Sequence, residues 1–135
     1  MEQRSDLLRP TAFSPDPLAW AARHPRPDGA APRLYELRTY RLAPGSVSAL
    51  LAAYERFAAV FARHLDLVAY WTADSGELGR AVHLWAYADE ADRDRRQAAL
   101  AADPDFAHGF LAEAGPLLLG AESTVLIPAS YSPLT

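Results

Sequence analysis

The chain contains no cysteine and no lysine. Without cysteine there are no disulfides, no thiolate metal ligands and no thiol nucleophile. Without lysine, Schiff-base chemistry and a P-loop lysine are both ruled out. All 13 basic residues are arginine, and beside so many alanines this reads first as a bias of composition. No apolar run approaches the roughly 20 residues that a bilayer span requires. The start, MEQRSDLLRP, is charged rather than an apolar signal core. A net charge of −4 lacks the basic surface that phosphate-backbone binding needs. G-x-S-x-G and G-x-G-x-x-G are also absent. The expectation is a cytoplasmic protein with neither nucleic acid nor membrane among its partners.

What remains is 135 residues, the length of one domain able to bury a core without staples. Six of the eleven prolines fall within residues 1–33. Proline removes amide donors and restricts its predecessor, so this arm is not expected to carry a regular sheet or a long helix. Leu7, Leu8, Phe13, Leu18 and Trp20 are too many apolar side chains for a purely solvated tail. The arm is therefore expected to lie on the domain or on a partner subunit.

The pattern changes after Pro32. Residues 34–42 (LYELRTYRL) alternate as a strand does, and Pro44-Gly45 makes a turn. Residues 46–64 place Val47, Leu50, Leu51, Tyr54, Phe57 and Phe61 at helical spacing. Residues 67–73 and 81–88 read as two further strands around the turn chemistry of Asp74-Ser75-Gly76. A helix opens at Asp89 with Asp92 as a relative of the capping box, and runs to about residue 102. Asp103-Pro104 starts another, to about residue 113, and 121–128 is the last strand. The order β-α-β-β-α-α-β over 34–135 is the split βαβ arrangement of a ferredoxin-like α+β fold with a four-stranded antiparallel sheet.

The phrases YELRTY at 35–40, YWTADSGELGRAVHLWAY at 70–87, DRRQAALAADPDF at 94–106 and SPL at 132–134 resemble NIPSNAP domains in order and spacing. That resemblance implies a ferredoxin-like fold that dimerises sheet to sheet into an α/β barrel. No cofactor is expected. Haem, which some dimeric α/β barrels hold through a helix histidine, is the one option the superfamily adds. Four histidines without HxxxH or HxH spacing make no metal site.

In this topology the first and third strands are the central pair. Alternation puts His83, Trp85 and Tyr87 on one face and Val82, Leu84 and Ala86 on the other. It groups Glu36, Arg38 and Tyr40 likewise, and adds Thr124 from the last strand. The aliphatic set is expected to pack under the helices, leaving the aromatic and charged set to line the barrel. A face of that mixture suits a partly closed cavity with a few polar groups fixing a ligand.

The expected site therefore has His83 as general acid/base. Arg38 stabilises a developing enolate or carboxylate, with Glu36 beside it, and Tyr40 donates a hydrogen bond. Trp85 and Tyr87 stack on an aromatic or polyketide-like substrate, with Tyr70, Trp71 and Thr124 completing the wall; alternation does not decide the faces of Tyr70 and Trp71. The reaction expected is isomerisation, cyclisation or a lyase step, with cofactor-free oxygenation next. The structural alternative pairs Glu36 with Arg38, and His83 with Glu36 or Tyr40, in a non-catalytic module. The run DEADRDRR at 89–96 reads as a solvated helix face.

Overall fold

In the computed structural model the described residues are 8–74, 79–129, 132 and 134. The turn expected at residues 75–76, and Pro133 of the C-terminal SPL, lie outside them. Strand β1 (Arg9–Pro10) and helix α1 (Pro17–Arg23) come from the arm. They are followed by β2 (Leu34–Leu42), α2 (Val47–His64), β3 (Asp66–Asp74), β4 (Gly79–Tyr87) and α3 (Glu90–Ala102). A π-helical turn, Asp105–Phe110, leads into α4 (Leu111–Ala114), and β5 (Leu118–Leu126) closes the sheet. The fold is α+β and ferredoxin-like, and the elements after residue 33 follow the expected order.

The sheet runs β1-β3-β4-β2-β5, antiparallel throughout. It has five strands instead of four because the arm contributes one. Arg9 and Pro10 pair with Thr72 and Trp71 on the open edge of β3, where proline is tolerated in an edge strand. The arm's helix is short, begins with proline at its first position and is capped by the Asp16 carboxylate, which accepts from the Leu18 amide.

Local signals explain the rest. Gly45 has φ +75, the left-handed conformation that the turn into α2 requires. Asp89 caps α3 by accepting from the Asp92 amide at 2.8 Å, and Asp92 reaches back to the Ala88 amide at 2.9 Å. His64, at the end of α2, binds Asp103 at 2.7 Å and so ties α2 to the turn after α3.

The two sheet faces are reversed from the expectation. The main core sets Tyr40, Tyr70, Trp85 and Tyr87 of the sheet against Leu50, Tyr54 and Phe61 of α2, Leu100 of α3 and Phe110. The aromatic and charged set thus lies beneath the helices. Leu84 and Ala86 pack on the other face with Tyr35, Val68, Ala69 and the arm's Trp20. Alternation sorts residues into two sets without saying which set the helices cover. Here the larger rings fill the sheet–helix gap, and α3 supplies polar partners for the charge among them.

Candidate functional site

Residues 36, 38 and 40 of β2 and residues 83, 85 and 87 of β4 form one strip beneath the helices. Across it Glu36 pairs with Trp85 and Arg38 with His83. A register shift in β3 between Leu67 and Ala69 places Tyr70 opposite His83 and Trp71 opposite Val82. Tyr70 therefore joins the strip, and Trp71 goes to the other face. On β5, Ser123 pairs with Arg38 and Thr124 with Leu37. Thr124 therefore also lies on the other face, exposed to solvent, and Ser123 takes the place expected for it.

At one end, the buried Glu36 carboxylate accepts from Tyr87 Oη at 3.1 Å, Arg93 at 2.8 Å, Gln97 Nε2 at 3.1 Å and the Ser123 hydroxyl. Burial raises its pKa. The hydrogen bonds from Arg93 and Ser123, with the charges of Arg38 and Arg93, outweigh that and hold it below the ordinary carboxylate range. Gln97 also donates to Tyr87 Oη at 2.9 Å. Arg93 belongs to the run expected on a solvated face, and Gln97 follows that run. Their spacing to Leu100, seven residues for Arg93 and three for Gln97 along one helix, is the signal that they face the sheet.

At the other end, Trp85 Nε1 donates to His83 Nδ1 at 2.6 Å. An indole N–H can only donate, so Nδ1 must be the acceptor and the imidazole proton sits on Nε2. That Nε2 is buried with no hydrogen-bond partner. Burial, then the positive charge of Arg38, lower the His83 pKa to about 3 against an opposing pull from Glu36. His83 is thus a neutral donor rather than a proton shuttle near neutrality. Its ring stacks on Tyr70 (4.9 Å between centroids, 13°) and meets Tyr40 edge-on at 4.6 Å.

Arg38 lies half-buried with its guanidinium 5.7 Å from the Tyr40 ring. Its Nε is buried and unpartnered, and no ion pair with Glu36 forms among the described residues. Burial raises the pKa of Tyr40, Tyr54 and Tyr70, keeping all three phenols protonated. The end of the strip around His83 therefore offers a cation, an imidazole N–H and phenol groups, and no base. Tyr54 and the arm's Phe13 were not anticipated here. Phe13 lies 4.8 Å from Tyr54, and with Trp85 they line a cleft of about 330 Å³.

Among the described residues no group of three histidine or acidic side chains could hold a metal. Of the helix histidines, His64 is bonded through Nε2 to Asp103 and His108 is exposed. No helix among the described residues is long and apolar enough to cross a membrane.

The NIPSNAP family model matches residues 35–133. Human NipSnap homolog 3A is 33% identical over 97 residues, which cover 70% of this chain and 39% of the human protein. The chain thus spans well under half the length of that relative. A NIPSNAP family crystal structure from Agrobacterium tumefaciens is 37% identical with a TM-score of 0.72, covering 77% of this chain and 95% of that one. Another from the same organism reaches a TM-score of 0.74 at 28% identity, covering 82% and 97%. A structure from Lactobacillus acidophilus, described as a candidate monooxygenase, shares the fold alone at 9% identity, with a TM-score of 0.52 over 70% of this chain and 44% of that one.

Proposed function

The chain belongs to the NIPSNAP family, and within that family we propose that it is a small-molecule enzyme binding an aromatic or polyketide-like oxyanion beneath its helices. One observation carries this reading: Arg38 and His83 stand directly across β2 and β4, each with a buried nitrogen left without a partner. A buried donor that finds no acceptor costs about 1–3 kcal/mol. Two such donors side by side, one cationic, suit a ligand that brings negative charge.

The chemistry follows from what the groups can do. Glu36 is consumed by four donors and His83 already carries its proton on the nitrogen facing the ligand. Neither is a free base. The site would act by stabilising charge that develops on oxygen, with Arg38 and the His83 Nε2–H as the electrostatic partners of an enolate or phenolate. Tyr40 would donate a further hydrogen bond, and Trp85 and Tyr70 would hold the flat part of the ligand. Isomerisation or cyclisation through an enolate fits when the substrate ionises easily. The lack of a free base favours, as the second reading, cofactor-free oxygenation of a substrate that enters already as its anion.

The same reading takes the chain as a cytoplasmic homodimer. Leu126 and Ile127, 40% and 71% exposed at the β5 edge, are the apolar surface that supports a dimer. Titrating the purified protein with 1-hydroxy-2-naphthoate, followed by tryptophan fluorescence, tests the site. Arg38→Ala and His83→Phe should each weaken binding at least tenfold while the fold is kept. Unchanged binding in both would end the assignment. Native mass spectrometry reads the dimer and any co-purified small molecule together.

A further inference from the structure

The arm lies outside residues 35–133, so the family match does not account for it. It straddles the edge strand β3. On the far face of the sheet Trp20 is 2% exposed and donates to Asp66 at 3.1 Å. On the helix face Phe13 sits against Tyr54 and, edge-on at 5.1 Å, against Tyr70. On either side of Phe13 the arm is fastened to Tyr70. Thr11 donates its amide (3.0 Å) and its hydroxyl (3.1 Å) to the Tyr70 carbonyl, and Ser14 Oγ accepts from the Tyr70 amide at 2.8 Å. Tyr70 is the residue whose ring stacks on His83.

We infer that Phe13 is a specificity-determining wall of the ligand site, limiting the size of the flat group that can lie against Tyr54 and Trp85. This rests on the oxyanion site proposed above. Three features support it. Phe13 is half-buried and is held by the irregular segment 11–16, so it can be displaced without unmaking the sheet. It lines a cleft whose other walls include Trp85, the residue bonded to His83. That cleft, about 330 Å³, is at the small end of ligand pockets. A wall made of one phenylalanine is then what separates a two-ring ligand from a three-ring one.

The test uses the full chain with Trp20→Phe and Trp71→Phe, leaving Trp85 as the lone tryptophan, excited selectively over tyrosine. Phe13→Ala should raise acrylamide quenching of Trp85 at least threefold and Phe13→Leu by less, with both far-ultraviolet spectra unchanged. In binding, Phe13→Ala should accelerate association of 1-hydroxy-2-naphthoate and admit 9-anthracenecarboxylate, which the parent chain should exclude. Unchanged quenching together with unchanged discrimination between the two anions overturns the inference, even where Arg38→Ala abolishes naphthoate binding and the site itself stands. Quenching that rises while no anion binds the parent or either variant shows a covered cleft that is not a ligand site, which overturns both.

Discussion

The strip beneath the helices is built of similar residues along its length, but its two ends differ in how their polar groups are spent. At one end Glu36 takes four hydrogen bonds, and its partners Tyr87 and Gln97 are bonded to each other as well. At the other, Arg38 has no anion among the described residues and His83 presents an unpartnered N–H. Both ends are buried in one sheet–helix layer, so burial does not separate them. Satisfaction does. A fully connected buried network holds a fold in one arrangement, whereas donors left over are a cost that an incoming acceptor removes.

The largest effect should come from breaking the satisfied end. Glu36→Ala strands Arg93, Gln97, Tyr87 and Ser123 together. Removing one partner of a buried ion pair costs about 3–5 kcal/mol. Arg93 keeps 28% exposure and can turn to water, so about 3 kcal/mol is expected, read as a loss of unfolding free energy in urea. A loss under about 1 kcal/mol would show that this end is not the anchor of the layer.

Next is acid. The folded protein holds His83 neutral down to about pH 3, while the unfolded imidazole takes a proton below 6.5. Stability from this group is complete above pH 6.5 and falls as pH drops toward 3, because only the unfolded state binds the proton. Between pH 6.5 and 5, above the carboxylate range, the loss should be about 2 kcal/mol. His83→Gln should flatten that limb of the stability curve. An equal slope in the variant would mean that another group carries it.

This contrast was only partly legible in the chain. Alternation on β2 and β4 correctly grouped Glu36, Arg38 and Tyr40, and His83, Trp85 and Tyr87, because the side-chain period of a strand is fixed. It could not say which group the helices cover, since both carry apolar residues. Nor could it place Tyr70 apart from Trp71, because that depends on a register shift in β3 with no sequence mark. Thr124 was placed with Glu36, and the pairing of Ser123 with Arg38 moves it to the opposite face. Arg93 was hidden in a run of charges that looked solvated. The division of the strip into a spent end and an unspent one depends on contacts between residues up to 87 positions apart, as from Ser123 to Glu36.

Arg38→Ala addresses the unspent end. Having no ion pair to lose, Arg38 should leave stability within about 0.5 kcal/mol of the parent on truncation. The same change should weaken naphthoate binding about tenfold, equivalent to about 1.4 kcal/mol. It should also raise the pKa of His83, since the Arg38 charge is the second cause of its depression. A stability loss as large as that of Glu36→Ala would erase the distinction between the ends.

The smallest and sharpest effect concerns Trp85, which sits opposite Glu36 yet serves the other end. Its indole N–H fixes the His83 proton on Nε2 by occupying Nδ1. Trp85→Phe keeps an aromatic ring to face Phe61, stacked on it at 5.9 Å and 21°, but deletes that donor. Stability should fall by about 1 kcal/mol, the net value of one buried hydrogen bond. The informative readout is the imidazole itself: nitrogen chemical shifts of His83 should change from a single Nε2–H form to a mixture of tautomers. Anion affinity should drop with the Nε2–H fraction. If the shifts stay those of one tautomer while affinity still falls, Trp85 acts by contact with the ligand rather than by setting the proton.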